Sequence, residues 1–259
     1  IGLMQINGSF SGQSYMPYSV ACLQANLLEY SKYSQSLSFR LPIFKREPVW
    51  KIVDALAGVD LLAVSMYVWN EQISLEVIRR LKGLNPSTLI VLGGPQVPEQ
   101  SEIFLRANHY VDYIVHGEGE AAFTKLIDAL NAKQAEIENI PSISFIDSSG
   151  QFHKTNNLPR EKNLDSYVSP YLSGVFDELI AAYPDEKWTA LWETNRGCPF
   201  QCTFCDWGSA TAAKVNKFSM DRLRAELDWF VKNKIAFVYC CDANFVILPR
   251  DLEIAKWMA

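Results

Sequence analysis

Residues 188–208 have the sequence WTALWETNRGCPFQCTFCDWG, in which a short apolar run leads directly into three cysteines. The run predicts a strand over residues 189–194, and the loop after it leads to a helix that Ser219 could cap. A second strand is predicted over residues 235–240, with a further helix from Asp251 onward. Strands that alternate with helices in this way are typical of a parallel sheet covered by helices.

The three cysteines of this loop, Cys198, Cys202 and Cys205, have the spacing Cys-x3-Cys-x2-Cys and are half of the six in the chain. A secreted disulfide framework spreads its cysteines over a short chain, so their concentration in one loop indicates a metal site in a reducing compartment. Structural zinc needs four ligands, usually as two separated pairs, and the adjacent Cys240 and Cys241 could supply a fourth only from a different strand. Three thiolates on a cubane iron–sulfur cluster would instead leave one iron open for chemistry.

The first 130 residues alternate short apolar runs with amphipathic stretches. One of the predicted helices could be capped by Asn70. The pattern favours a flavodoxin-like doubly wound parallel sheet, whose ligands bind beyond the carboxyl ends of the strands. A less regular stretch follows, with a small hairpin predicted around residues 148–150. The predicted strands of the sheet cover residues 3–7, 36–41, 61–66, 89–92 and 113–116.

The composition excludes several classes of protein. Lys and Arg number 24 against 29 Asp and Glu, a net charge of −5, and no basic run is present, so we expect no nucleic-acid partner. The first 28 residues carry no charged side chain, but they contain Pro17 and many polar residues, and no basic residue precedes them. We therefore expect a cytoplasmic protein with no membrane partner.

The cysteine spacing, together with the aromatic Phe204 directly before the third cysteine, resembles the radical S-adenosylmethionine (SAM) superfamily. The resemblance implies that Cys198, Cys202 and Cys205 hold a 4Fe-4S cluster whose open iron binds the amino and carboxylate groups of SAM. It also implies that Phe204 lies near the adenine and that the βα units begin a partial TIM-type barrel. The structural alternative is an accidental cysteine cluster or a zinc site.

Radical SAM proteins carry a Gly-Gly-Glu-type turn after the second barrel strand, where the SAM amino group binds. This chain has Asp242 and Asn244 at that place, and their oxygens could accept hydrogen bonds from an ammonium group. The alternative for Asp242 is a buried cap at the end of the strand. Cys240 and Cys241, which precede the turn, are expected to be core thiols.

A doubly wound domain before a radical SAM domain resembles the cobalamin-dependent class of the superfamily, and the resemblance covers nearly the whole chain. The cobalamin signature Asp-x-His-x-x-Gly corresponds to residues 7–12, where Ser9 replaces the cobalt-ligating histidine. Either cobalamin binds without a histidine ligand or the domain has lost it. Gly93-Gly94 favours binding, because glycine lets a large ligand approach the backbone. The other positions implied to contact cobalamin are Ser65, Tyr67 and Gly117. Local structural or surface roles are expected for His109, His116 and His153.

The resemblance implies a radical SAM enzyme that transfers a methyl group to an unactivated carbon of a small molecule or peptide, with a flavodoxin or ferredoxin as reducing partner. Alternatives are cyclisation or oxygen insertion without bound cobalamin, and a non-enzymatic zinc- or ligand-binding module. The predicted domains are a cobalamin-binding-like domain at 1–135, a linker at 136–187 and a truncated radical SAM domain at 188–259. Full βα barrels need about 200 residues or more, so the chain is expected to be a fragment that is inactive on its own.

Overall fold

The computed structural model describes residues 1–10, 12–132, 136–205 and 214–258, with the side chains of residues 9 and 10 excepted. No helix within these ranges is both long and apolar enough to cross a membrane. The strands are β1 (Gly2–Met4), β2 (Ser9–Phe10), β3 (Gln13–Tyr15), β4 (Leu61–Ser65), β5 (Leu89–Gly93), β6 (Tyr113–Val115), β7 (Ile143–Ile146), β8 (Phe152–Lys154), β9 (Trp188–Trp192), β10 (Asn195–Arg196), β11 (Asn216–Lys217) and β12 (Phe237–Cys240). The α-helices are α1 (Tyr18–Tyr30), α2 (Val49–Ala55), α3 (Glu71–Leu84), α4 (Glu102–Ala107), α5 (Gly119–Ala132), α6 (Asp177–Ala182), α7 (Met220–Lys232) and α8 (Asp251–Met258).

The first sheet has the strand order β1-β4-β5-β6-β7-β8. Its first four strands pair in parallel, β7 pairs antiparallel with β6, and β8 pairs antiparallel with β7. β4 is buried at every position, as expected of a strand that helices cover on both faces. Alternate residues enter different cores: Leu62 and Val64 pack with α2 and α3, whereas Leu61 and Ala63 pack with α1 and α5. The predicted doubly wound α/β sheet is therefore confirmed.

The prediction of a strand over residues 36–41 is wrong. A 3-10 turn occupies Ser34–Ser36, and the extended segment after it reaches β1 through an isolated bridge at Ile43. Ile43 N donates to Leu3 O at 2.8 Å. Arg40 N donates to Ile1 O at 2.9 Å, so the two donors are three positions apart on this segment while their acceptors are only two apart, and no regular ladder forms.

The predicted hairpin is confirmed as β7 and β8, which are joined by a tight turn. The Asp147 side chain organises this turn, since Oδ1 accepts from Ser149 N at 2.8 Å and from Gln151 N at 2.9 Å. β7 also pairs antiparallel with β6. The hairpin therefore extends the first sheet and is more than part of a linker.

The second sheet has the order β12-β9-β3-β2. β9 and β12 are parallel and α7 lies between them in sequence, which is the βα unit expected after Trp188. Ser219 caps α7 as predicted, because its Oγ accepts from Arg222 N at 3.3 Å. β12 lies at an edge of this sheet, and its Phe237 and Tyr239 side chains are about half exposed.

The N-terminal segment contributes to both sheets, which the sequence did not predict. After β1 in the first sheet, the chain forms the β2–β3 hairpin, and β3 pairs in parallel with β9 of the second sheet. Beyond this pairing, Met16 N donates to Thr189 O at 3.0 Å. The chain then returns through α1, which packs against α5 on the first sheet. A strand from the first 16 residues thus completes the second sheet next to β9.

Candidate cofactor site

The cysteine loop has a closed base near the carboxyl end of β9. β10 (Asn195–Arg196) and β11 (Asn216–Lys217) pair with each other across the two ends of the loop. Gly197, which directly precedes Cys198, has a φ of +123°, and a Cβ there would lie 2.5 Å from Lys214 O. Only glycine fits beneath this carbonyl, so the base of the loop depends on it.

The three cysteines differ in exposure. Cys198 is buried, whereas Cys202 and Cys205 are exposed, and Phe204 beside them is 90% exposed. Residues 206–213, which complete the loop, lie outside the described residues. In the part of the chain that the structure describes, no three His, Cys, Asp or Glu side chains are placed to hold a single metal ion. A cubane cluster binds each thiolate at a different iron, so three thiols of one loop fit that donor requirement without converging on one point.

Cys240 and Cys241 are poor candidates for a fourth metal ligand. Both are partly buried, and burial raises the pKa of each thiol to about 12. A thiol must lose its proton to bind a metal, so recruiting either of these two as a ligand would carry an added cost. The zinc alternative therefore has no ready fourth thiolate in these two residues.

Asp242 and Asn244 follow β12 and lie beside the base of the loop. Asp242 Oδ1 accepts from Thr194 N at 2.7 Å and from Asn195 N at 3.1 Å. Its Oδ2 accepts from Asn195 Nδ2 at 2.8 Å and from the Thr194 hydroxyl. Burial nevertheless raises the pKa of Asp242. Asn244 Nδ2 donates to Cys198 Sγ at 3.1 Å. Asp242 thus joins the segments that follow β9 and β12, and Asn244 contacts the first cysteine, while contact of either residue with SAM stays a prediction.

In the first domain, Ser65 and Tyr67 belong to a hydroxyl network at the carboxyl ends of β1 and β4. Ser65 Oγ donates to Ser19 Oγ at 3.1 Å, and Ser19 Oγ shares a hydrogen bond of 2.9 Å with Tyr67 OH. Ser19 Oγ also donates to Gln5 Oε1 at 2.8 Å. Burial raises the pKa of Tyr67, so its hydroxyl stays protonated. Sequence reasoning missed Ser19 and Gln5, because each is a single polar residue outside any motif.

Asn70 begins α3 as predicted, but its side chain does not cap the helix. Its Nδ2 donates to Ile6 O at 3.0 Å and to Ser65 O at 3.1 Å, and its Oδ1 accepts from Tyr67 N at 2.8 Å. These bonds tie the ends of β1 and β4 together. The expected cap is therefore replaced by a brace of the sheet edge where doubly wound proteins bind ligands.

The glycines predicted near cobalamin differ in what they require. Gly94 has a φ of +101°, and a Cβ there would lie 2.5 Å from Met66 O. Its glycine is therefore needed for packing, whether or not a ligand binds. At Gly93 a Cβ would make ordinary van der Waals contact, and at Gly117, with a φ of +68°, it would meet open space. The Ser9 side chain lies outside the described part, and cobalamin contacts at all these positions stay predictions.

The three histidines lie apart and serve local structure or the surface. His116 is buried with Nε2 2.8 Å from Ser144 Oγ, and His153 Nε2 lies 2.7 Å from Asp147 Oδ2. His109 is exposed.

Comparison with known proteins gives consistent matches. The B12 binding domain family matches residues 42–127. The chain is 37% identical over 249 residues to the cobalamin-dependent radical SAM methyltransferase TokK of Streptomyces tokunonensis, covering 95% of the chain and 36% of the relative. The same identity and coverage hold for the 2-(S-pantetheinyl)-carbapenam-3-carboxylate methyltransferase of Streptantibioticus cattleyicolor. The chain thus spans about a third of the length of these relatives. The cobalamin-dependent SAM radical enzyme OxsB, with aqua-cobalamin and SAM bound, has the same fold at a TM-score of 0.71 and 18% identity, over 98% of this chain and 36% of OxsB.

Proposed function

Because the chain belongs to the cobalamin-dependent radical SAM superfamily, we propose that it forms the cobalamin-binding domain and the cluster-binding start of a radical SAM methyltransferase. The observation that carries the proposal is the three-cysteine loop on its closed base, in one chain with a doubly wound sheet. The proposed reaction is methyl transfer to an unactivated carbon of a small molecule, since the similar carbapenam enzyme is named for such a substrate. A peptide is the alternative substrate, and a flavodoxin or ferredoxin is the proposed reductant.

Cys198, Cys202 and Cys205 would hold a 4Fe-4S cluster, with SAM at the iron that they leave open. When bound, the cluster and SAM supply a radical that activates the substrate, and cobalamin supplies the methyl group. The residues of the chain hold the cluster-binding loop in place. Gly197 and the β10–β11 ladder hold the ends of the loop together, and Asn244 donates a hydrogen bond to the first thiolate.

Contacts with SAM and cobalamin extend the proposal to individual side chains. For SAM we propose Phe204 near the adenine, where its high exposure leaves a free aromatic face, and Asp242 and Asn244 near the amino group. For cobalamin we propose the carboxyl edge of the first sheet, where the hydroxyl network offers polar groups. The residues proposed there are Ser65, Tyr67, Gly93, Gly94 and Gly117. Ser9, which lies in β2 of the second sheet, is proposed only from its place in the cobalamin signature.

Anaerobic reconstitution with iron and sulfide tests the cluster. We expect about four irons per chain and the broad absorption of an iron–sulfur cluster. Replacing the three loop cysteines by Ala should abolish both, whereas Cys22→Ala should change neither, because Cys22 is a buried core residue of α1 outside the cysteine motif. Stoichiometric zinc without colour, or four irons retained in the triple variant, would reject the assignment.

Titration with hydroxocobalamin followed by gel filtration tests the first domain. We expect one cobalamin to elute with each chain. With cobalt reduced to Co(II), paramagnetic resonance should show no nitrogen splitting from a protein ligand, because Ser9 occupies the place of the signature histidine. Failure to retain cobalamin would favour a radical SAM protein whose first domain has lost that cofactor.

A further inference from the structure

A group of charged side chains lies between the cysteine loop and the first sheet, and the proposed function does not use it. Arg196 Nη2 lies 2.7 Å from Glu120 Oε1 and 2.9 Å from Glu193 Oε2, and Arg196 Nε donates to Glu193 Oε2 at 3.0 Å. The guanidinium lies over the Tyr167 ring, 5.2 Å from its centroid. Tyr167 OH in turn donates to Glu118 Oε2 at 3.1 Å. We call these five residues the Arg196 group.

The members of the Arg196 group lie next to both sheets. Glu118 directly precedes α5 and Glu120 lies in its first turn, and because the loop from β6 leads into this helix both lie at the carboxyl edge of the first sheet. Glu193 directly follows β9 of the second sheet. Arg196 itself lies in β10, two residues before Cys198. One guanidinium thus connects the base of the cysteine loop to the edge at which a doubly wound sheet binds its ligand.

The ion pairs of Arg196 are largely buried, so they can fix the position of the guanidinium. The Arg196 and Glu120 side chains are only 14% and 6% exposed. A guanidinium is planar and donates in fixed directions, so pairing with two carboxylates restricts its orientation as well as its distance from them. A lysine ammonium would keep the charge but lose this geometry.

We propose that Arg196 is a positioning residue: its pairs with Glu120 and Glu193 set where the cysteine loop stands relative to the carboxyl edge of the first sheet. On the proposed function, this contact fixes the distance between the iron–sulfur cluster and cobalamin. The anchoring of the loop itself is a property of the chain and is measurable without either cofactor.

The first experiment measures amide hydrogen exchange of cofactor-free wild type, Glu120→Gln and Arg196→Lys proteins. We expect exchange at residues 195–198 to become about 10- to 100-fold faster in both variants, the range expected for loss of a charge-assisted hydrogen bond. The matched control is Asp112→Asn, which weakens the partly buried pair between Lys82 and Asp112 at the amino end of β6, on the opposite edge of the first sheet. It should lower global stability without selectively accelerating the loop base. Glu120→Gln keeps the side-chain shape, so it decides the matter even where Arg196→Lys folds poorly.

The second experiment uses protein reconstituted with the reduced cluster and Co(II) cobalamin. The magnetic interaction between the two paramagnetic centres depends on their separation, so both variants should alter it at unchanged iron and cobalamin content, whereas Asp112→Asn should not. Unchanged exchange at residues 195–198 in both variants would overturn the inference. Failure of the wild type to take up a cofactor would instead count against the proposed function, because the exchange experiment needs no cofactor.

Discussion

Replacing Gly94 by Ala tests whether this glycine is needed for the fold or for binding a ligand. Gly94 has a φ of +101°, and an added Cβ would lie 2.5 Å from Met66 O and 2.8 Å from Met66 N. Both neighbours are backbone atoms of the segment directly after β4, so neither can turn aside as a flexible side chain would. The strain should therefore be present before any cofactor binds.

The expected loss in the free energy of unfolding combines two destabilising effects and one stabilising effect. A non-glycine residue in this backbone region costs about 1–3 kcal/mol, and forcing an atom into occupied space costs about 1–3 kcal/mol more. Alanine recovers about 0.4–1 kcal/mol because it restricts the unfolded chain. We expect Gly94→Ala to lower the free energy of unfolding by about 3 kcal/mol, a large share of the stability of a typical domain.

Urea unfolding of the cofactor-free protein, followed by circular dichroism, measures this loss. Gly58→Ala is the matched control, since Gly58 has a φ of +77° with nothing within 4 Å of an added Cβ, and it should lose only about 1 kcal/mol. Gly83→Ala, inside α3 with open space around it, should gain about 0.5–1 kcal/mol. If Gly94→Ala is as stable as Gly58→Ala but binds cobalamin more weakly, the packing argument is refuted and the glycine serves the ligand.

Three further outcomes are expected. The hydrogen bond from Asn244 to the first cluster thiolate stabilises the reduced cluster, which is the more negative state. Asn244→Leu removes this bond, so the cluster midpoint potential should fall by about 20–65 mV in a redox titration. An unchanged potential would mean that the bond is lost when the cluster forms. Glu226→Ala leaves its buried partners unpaired and should cost about 3–5 kcal/mol in chemical unfolding, against less than about 1 kcal/mol for Asp228→Ala on the exposed face of α7. Burial lowers the pKa of His116 in the folded protein, so as the pH falls the unfolded protein binds a proton at this residue before the folded protein does. The free energy of unfolding should therefore decline as the pH falls below about 6.5. His116→Asn should flatten that decline, and His109→Asn on the surface should not.

Local patterns predicted the elements that depend on local chemistry. The cap at Ser219, the β7–β8 turn and the buried β4 follow from residues close together in the sequence, and all three are confirmed. The strand predicted at residues 36–41 does not form because this segment meets the first strand out of step: Arg40 N and Ile43 N, three positions apart, donate to Ile1 O and Leu3 O, which are two apart.

The parts that sequence reasoning missed depend on partners far along the chain. β2 and β3 have only two and three residues, and the sequence around them contains no apolar alternation to mark them as strands. Arg196 stands in the cysteine motif, but its partner Glu120 lies 76 positions earlier. A single sequence gives no sign of such pairings, because they arise only when the two sheets are assembled.

The N-terminal segment, with β1 in the first sheet and β3 in the second, limits how this protein can be divided. Ser14 Oγ donates to Glu186 Oε1 across 172 positions of sequence, so the hairpin can dock only after most of the chain has been made. A graft of residues 188–258 onto a foreign cofactor domain would leave one side of β9 bare, and a bare strand invites pairing with other chains. Chimeras of such proteins should therefore fold when the first 16 residues and the cysteine loop come from the same parent. They should aggregate when the chain is cut between the two sheets.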